Sequence, residues 1–242
     1  MNKPRIFVGT MYSGENELAE SIESIHSQVG VDVTHYVVRD KREIEAHKDL
    51  YSTWNSVKQN YDMFVQVDAD TVILHSTIFE IAFNLLQIEI KEGYTSLQFP
   101  LEDYITNQKI MGLNFYSPLV IFNVPQDEVY CDRSTTNNKT FLSGDRAGYH
   151  SPNPTYRQAF HFGLHRGLKG QRSRYENYIK YAYSHIQKDD RRIMTLLGFD
   201  ASDNFKGHKR TSYTDDEFGE AYVSACELLP TYRERFFPKN ET

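Results

Sequence analysis

The strongest constraint on this chain is an alternation. Short apolar runs suited to buried strands recur between stretches whose apolar residues repeat at helical spacing. Residues 6–8, 33–38 and 63–67 read as the first three strands. Between the first two, Leu18, Ile22, Ile25 and Val29 recur at intervals of four, three and four residues. That spacing predicts a helix over about 15–28, with Ser13 as its N-cap. A polar helix is expected over about 42–58, and Thr77-x-x-Glu80 has the spacing of a capping box that opens a third. Further strands are expected near 95–99 and 118–122. The pattern predicts an α/β fold with a mostly parallel sheet flanked by helices. Ligands in such sheets bind beyond the carboxyl ends of the strands.

The second half reads differently. Residues 125–155 are turn-rich, and helices follow over about 153–169, 174–187, 191–197 and 215–229. The first of these is expected to start at Asn153-Pro154. The last opens with Thr214-x-x-Glu217 and is expected to stop at Pro230. No repeat or flexible linker divides the chain, so this half reads as a helical C-terminal extension.

Composition narrows the function classes. Aliphatic residues are sparse, but 15 Phe and 17 Tyr supply enough area for a core. A net charge of −6 argues against non-specific nucleic-acid binding. No window approaches a membrane span, and the opening MNKPRIFVGT has no leader-like apolar run, so a cytoplasmic chain is expected. Cys131 and Cys226 show no metal-ligand spacing and read as reduced thiols.

The chemistry concentrates in Phe64-Val65-Gln66-Val67-Asp68-Ala69-Asp70-Thr71, where two carboxylates leave a buried strand at its ligand-binding end. If the segment stays extended, alternation puts Asp68 and Asp70 on one face. Paired hard oxygens suit Mn²⁺ or Mg²⁺ carrying a phosphate-bound substrate. Two enzyme classes use such a pair. Haloacid-dehalogenase-type phosphatases use one Asp as nucleophile and the other as acid. Glycosyltransferases of the GT-A fold use the pair to hold a metal on a nucleotide-sugar diphosphate. The phosphatase pair sits on the first strand, whereas this one follows the third.

The N-terminal third resembles family 2 glycosyltransferases. Ile6-Phe7-Val8-Gly9-Thr10-Met11-Tyr12 looks like their first strand and turn. Glu15, Leu18, Ser21-Ile22, Ser24-Ile25 and Gln28 match the following helix, and Val37-Val38-Arg39-Asp40 looks like the second strand. The resemblance covers residues 4–75. It implies a GT-A-type, Rossmann-like core over 1–125 and an acceptor-side helical part of the same domain over 126–242. It also implies a metal-dependent, inverting transfer from a nucleotide-diphosphate sugar to a glycan, lipid-linked or other hydroxyl acceptor, of the kind that builds polysaccharides. A relative that binds nucleotide-sugar without turnover is a further alternative, and peripheral membrane contact stays open.

On matching positions, the resemblance makes Thr10, Tyr12 and Glu15 the lip of the nucleotide pocket and Asp40 the acceptor of a hydrogen bond from the base. Asp68 and Ala69 lie by the ribose and diphosphate, and Asp68 and Asp70 hold the metal. The family's usual Arg-Asn pair is missing, and Lys48 or Arg42 could replace its charge. Inverting transfer needs a carboxylate base. Asp145, in Ser143-Gly144-Asp145-Arg146, is the expected one, with Asp132 and Glu128 as rivals. His150 is a candidate third metal ligand. Beyond the resemblance, Gln158, His161, His165, Lys169 and Arg172 fall on one side of a helical wheel that could face a diphosphate. Tyr175, Tyr178, Tyr181 and Tyr183 interleave with a locally basic stretch that could face the acceptor or simply pack.

Overall fold

The structure is a computed structural model that describes residues 3–127, 129–133, 135, 137–205, 212–213 and 215–237. The chain divides into two compact units. One comprises Met1–Asp103 with Lys109–Pro152, the other Tyr104–Gln108 with Asn153–Thr242.

The sheet contains β1 (Arg5–Tyr12), β2 (Asp32–Arg39), β3 (Met63–Gln66), β4 (Thr71–Ile73), β5 (Ser96–Asp103), β6 (Gln108–Tyr116), β7 (Thr140–Leu142) and β8 (Gly148–His150). Their order is β2-β1-β3-β6-β5-β8-β4, with β7 beside β5. β1 runs parallel to β2 and β3, and β5 runs parallel to β7 and β8. β3 pairs antiparallel with β6, and β4 antiparallel with β8. The sheet is therefore mixed, which corrects the expectation of a mostly parallel one. Only four residues, 104–107, join β5 to the neighbouring β6, too few for a crossover, so the chain turns back. The strand expected at 118–122 is irregular, with a single bridge from Phe122 to Thr135. The turn-rich segment after 125 instead contributes β7 and β8.

Helices α1 (Leu18–His26), α2 (Glu43–Val57) and α3 (Ile78–Glu89) belong to the first unit. α1 starts three residues later than expected, with Glu17 rather than Ser13 before its first turn. The side it buries is largely polar, with Ser21, Ser24 and Gln28 next to Ile25, while Val29 is exposed. Ser24 and Gln28 have partners there. Ser24 Oγ accepts from the Ile73 backbone N–H at 3.1 Å, and Gln28 Oε1 accepts from Phe79 N–H at 3.0 Å. Gln28 Nε2 donates to the His75 carbonyl at 3.0 Å. α1 is thus a clamp on the segment that follows Asp70.

The core of this unit is aromatic. Phe64 of β3 stacks on Trp54 of α2 at 5.1 Å between ring centroids, and Phe7, Tyr116 and Phe122 surround it at 5.6–5.9 Å. These rings bury the area that the sparse aliphatic side chains do not supply.

In the second unit, α4 (Tyr156–Leu168), α5 (Arg172–His185), α6 (Asp190–Phe205) and α7 (Asp216–Phe236) pack together. α4 is capped by Thr155, whose hydroxyl accepts from Gln158 N–H while Gln158 Oε1 accepts from Thr155 N–H. This is a capping box one residue beyond the expected Asn153-Pro154 start. Gly163 of α4 lies so close to α6 that an added Cβ would stand 1.9 Å from the Thr195 carbonyl oxygen. α7 continues through Pro230 instead of stopping there. Proline removes one ladder hydrogen bond, and the carbonyl it strands, four residues back on exposed ground beside Glu227, is open to water. Thr214 lies outside the described residues; Asp215 occupies the N-cap position. Among the described residues no helix is long and apolar enough to cross a membrane.

Candidate metal and nucleotide site

β3 is buried along its whole length, and Val67 continues its pairing by donating to the Gly9 carbonyl at 3.0 Å. The chain then turns, with Thr71 N–H donating to the Asp68 carbonyl at 2.9 Å. The Asp68–Asp70 segment is therefore a tight turn, so the condition of an extended strand is not met. The two carboxylates still act on one another, because the turn keeps them at the same strand end.

Register brings in the other partners. His150 of β8 stands opposite Thr71 of β4 on one side and opposite Asp103 of β5 on the other. Asp103 is fully buried, and its Oδ1 accepts from His150 Nδ1 at 2.8 Å. A carboxylate only accepts, so that contact places a proton on Nδ1. His150 Nε2 then faces Asp70 Oδ2 at 3.4 Å. Asp70 is held as well by Ser151, whose hydroxyl donates to its carboxylate and whose N–H donates to its carbonyl at 2.8 Å. Ser151 is in the left-handed region at φ 46°, a strained setting for a residue with a Cβ.

Glu15 joins this group from the turn after β1. Its Oε2 accepts from the N–H groups of Ser13 and Gly14 at 2.7 and 3.1 Å. Burial pushes its carboxyl up to about 7, and the Asp70 charge adds to that. Burial also raises Asp68, to about 6, with the negative charges of Asp70 and Asp132 adding and His150 opposing. Glu15, Asp68, Asp70 and Asp103 thus gather with the His150 imidazole at the ends of β1, β3, β5 and β8.

The remaining expected residues are placed as follows. Thr10 is buried, and its hydroxyl meets His35 Nε2 at 3.0 Å. His35 is pulled down to about 4 by burial, with His26 and Arg39 adding, so it is neutral at pH 7. Tyr12 is partly exposed, with the Arg39 guanidinium over its ring at 5.2 Å. Asp40 is exposed at the end of β2, in the left-handed region at φ 54°. Ala69 is buried in the turn. Lys48 is exposed on α2, and Arg42 is the residue before that helix. Asp145 lies on the exposed loop between β7 and β8, where its N–H donates to Ser143 Oγ at 3.2 Å. It is not among the main groups that shift Asp68 or Glu15. Glu128 lies outside the described residues.

The wheel drawn on the second half does not survive as one surface. Gln158 is a buried cap, His161 stacks on Tyr213 at 4.6 Å, and Arg172 opens α5, paired with Glu176 and Asp200. Tyr175 and Tyr183 are core residues, whereas Tyr178 and Tyr181 are exposed. This unit carries a cavity of about 630 Å³, lined by Arg157 and Tyr213 against Asp215, Asp216 and Glu220. Its carboxylates outnumber its one arginine, a poor match for a diphosphate.

Two residues of this cluster were missed in the sequence. Asp103 ends the apolar run Phe99-Pro100-Leu101, the same signal of a carboxylate leaving a buried strand that exposed Asp68. Ser151 carries no such signal; its role comes from the β4–β8 register.

No family model matches this chain, and no curated protein does. Among solved structures it is similar to A197 from STIV, at 14% identity and a TM-score of 0.43, over 60% of this chain and 85% of that one. It is also similar to the mannosyltransferase PcManGT from Pyrobaculum calidifontis, solved with GDP-mannose and Mn²⁺. That likeness has 11% identity and a TM-score of 0.41, over 98% of this chain and 84% of the other. Likeness of this size does not by itself assign a fold or an activity.

Proposed function

We propose that this chain is a metal-dependent glycosyltransferase that takes a nucleotide-diphosphate sugar and transfers its sugar, with inversion, to a hydroxyl acceptor. The supporting observation is the facing pair of Asp70 Oδ2 and His150 Nε2, 3.4 Å apart, with the other ring nitrogen donating to Asp103. At that distance the contact is closed by a proton on Nε2 or by a metal ion between the two atoms, and a metal ion is the choice that serves a diphosphate. Two carboxylates and an imidazole, ringed by further acid, suit Mn²⁺ or Mg²⁺.

In this reading Asp68, Asp70 and His150 hold the ion, which when bound offsets the negative charge of the diphosphate. Asp103 keeps His150 in the ligating tautomer and orientation, as partners of metal-bound histidines commonly do. Thr10, Tyr12, Glu15 and Ala69 shape the wall at the ends of β1 and β3, and exposed Asp40 accepts a hydrogen bond from the base. Lys48 supplies charge beside the phosphates. Asp145, on its open loop, takes the proton of the acceptor hydroxyl, since its exposure leaves an acceptor room to reach it. Residues 1–125 then form the donor-binding part and 126–242 the acceptor side.

A thermal-shift panel of nucleoside diphosphates and nucleotide-sugars, with and without Mn²⁺, tests this directly. Stabilisation that needs both nucleotide and Mn²⁺, and that Asp70→Ala removes, is the expected result. Full Mn²⁺-dependent stabilisation in Asp70→Ala refutes the assignment of the metal. Phosphate release from simple monoesters that Asp68→Asn abolishes would favour a phosphatase instead.

A further inference from the structure

The first unit holds a second cluster of metal-ligating groups that plays no part in the proposed transfer. Glu43 and His47 stand one turn apart on α2, and Cys131 opens the single helical turn 131–133 that packs against that helix. One carboxylate oxygen, one imidazole nitrogen and the thiol sulfur lie within 4.8 Å of one another. His47 and Cys131 are buried, at 3% and 1% exposure.

Three features suit the cluster to a metal. The first is the donor set: sulfur, nitrogen and a single oxygen are the ligands of a borderline-soft ion such as Zn²⁺, not of Mg²⁺ or Ca²⁺. The second is the tautomer. His47 Nδ1 lies 2.9 Å from the Glu43 backbone carbonyl, which can only accept, so the proton sits on Nδ1 and the lone pair on Nε2. This is the outer-shell arrangement that orients metal-bound histidines. The third is the approach of the other two ligands. Cys131 Sγ donates to Glu43 Oε1 at 3.4 Å, so a thiol proton already sits between the two atoms a metal would bridge. Asp127 Oδ1 braces the approach to Cys131 by accepting from the N–H groups of Val129 and Tyr130 at 2.7 and 3.1 Å.

We propose that Glu43, His47 and Cys131 form a zinc-type site, separate from the Asp68–Asp70 site and selective for softer divalent ions. Tetrahedral zinc places its ligand atoms roughly 3.5 Å apart, a spacing Cys131 Sγ and Glu43 Oε1 already have at 3.4 Å, so closing the cluster takes about an ångström of movement. Binding exchanges the thiol proton for the metal, and the proton leaves to solvent. Three protein ligands leave a fourth position for water or a small ligand. The site ties the turn 131–133 to α2. That segment includes Asp132, whose charge reaches Asp68. The proposal does not depend on the glycosyltransferase reading.

The test is a Co²⁺ titration of the reduced full-length protein at neutral pH, following the near-ultraviolet thiolate-to-cobalt absorption. The wild type is expected to take one thiolate-bound Co²⁺ per chain, displaced by Zn²⁺ and not by Mn²⁺. Asp70→Asn and Cys226→Ser should titrate like the wild type. Cys131→Ser should lose the thiolate band, and His47→Gln should weaken binding by more than about 10-fold, the loss that even outer-shell partners cause. Circular dichroism of each variant separates loss of ligand from loss of fold, and His47→Gln retains the thiol should Cys131→Ser fold poorly. No thiolate band in the wild type refutes the proposal and leaves a buried thiol hydrogen-bonded to Glu43. An unchanged band in folded Cys131→Ser, or displacement by Mn²⁺, refutes it equally.

Discussion

The crowding of acids around Asp70 gives a signed and measurable consequence for Asp70→Asn in the metal-free protein. Glu15 moves from an ordinary 4.5 to about 7, which opposes folding of its ionised form by about 3 kcal/mol. Asp68 moves from 3.8 to about 6, again about 3 kcal/mol. Burial is the larger cause in both, so Asp70 accounts for the lesser part, about 1–2 kcal/mol for the two together. Both carboxyls bind protons more tightly folded than unfolded. Their penalty is therefore absent below pH 4, grows as pH rises through 6–7, and is complete by pH 8. Asparagine keeps an oxygen to accept from Ser151 but removes the charge. Asp70→Asn should therefore gain about 1–2 kcal/mol over wild type at pH 8 and gain nothing at pH 4.5. Urea unfolding in a chelator, followed by circular dichroism at several pH values, measures that difference. At saturating Mn²⁺ the order reverses: wild type gains about 2.7 kcal/mol at 100 times Kd and the variant gains none. A variant less stable than wild type at pH 8 without metal, or a difference that ignores pH, refutes the electrostatic account.

Three further predictions follow from the same geometry. Asp103→Asn, read by calorimetric titration of Mn²⁺, should weaken the ion by about 10–100-fold while leaving Cys131 chemistry untouched, since an amide can donate to Nδ1 and favour the wrong tautomer. Asp145→Asn should keep donor binding and lose transfer by about 10²-fold or more in a coupled assay; an unchanged rate moves the base elsewhere. Gly163→Ala forces a Cβ to within 1.9 Å of the Thr195 carbonyl and should cost about 1–3 kcal/mol, seen as a lower midpoint of helical unfolding, with Mn²⁺ binding retained.

Much of the first unit was legible because its signals are local. The strands at Ile6, Val33 and Met63 announce themselves by apolar runs, and Asp68 and Asp70 by standing just past one of them. What escaped was set by pairing across long separations. Nothing near Gln108 says that β6 turns back beside β3, and the apolar Pro118–Phe122 looked the better strand. His150 was suspected as a ligand, but its orientation by Asp103, 47 residues earlier, depends on β8 settling between β4 and β5. The buried side of α1 was misread for a related reason. Ser24 and Gln28 are buried because backbone groups of the segment after Asp70 satisfy them, which a hydrophobic count along one helix cannot register. The Glu43–His47–Cys131 cluster spans 88 residues between its first and last ligands, far beyond any short-range cysteine motif.

The aromatic core also fixes how this molecule can be watched. The chain has a single tryptophan, Trp54, fully buried and stacked on Phe64, four residues before Asp68. Its fluorescence belongs wholly to the first unit, because Asn153–Thr242 and Tyr104–Gln108 contain no indole. Emission excited at the red edge therefore senses the strand that leads into the acidic turn and is blind to the melting of α4–α7. Circular dichroism weights the helices of both units, so the two signals together separate events that either alone would merge.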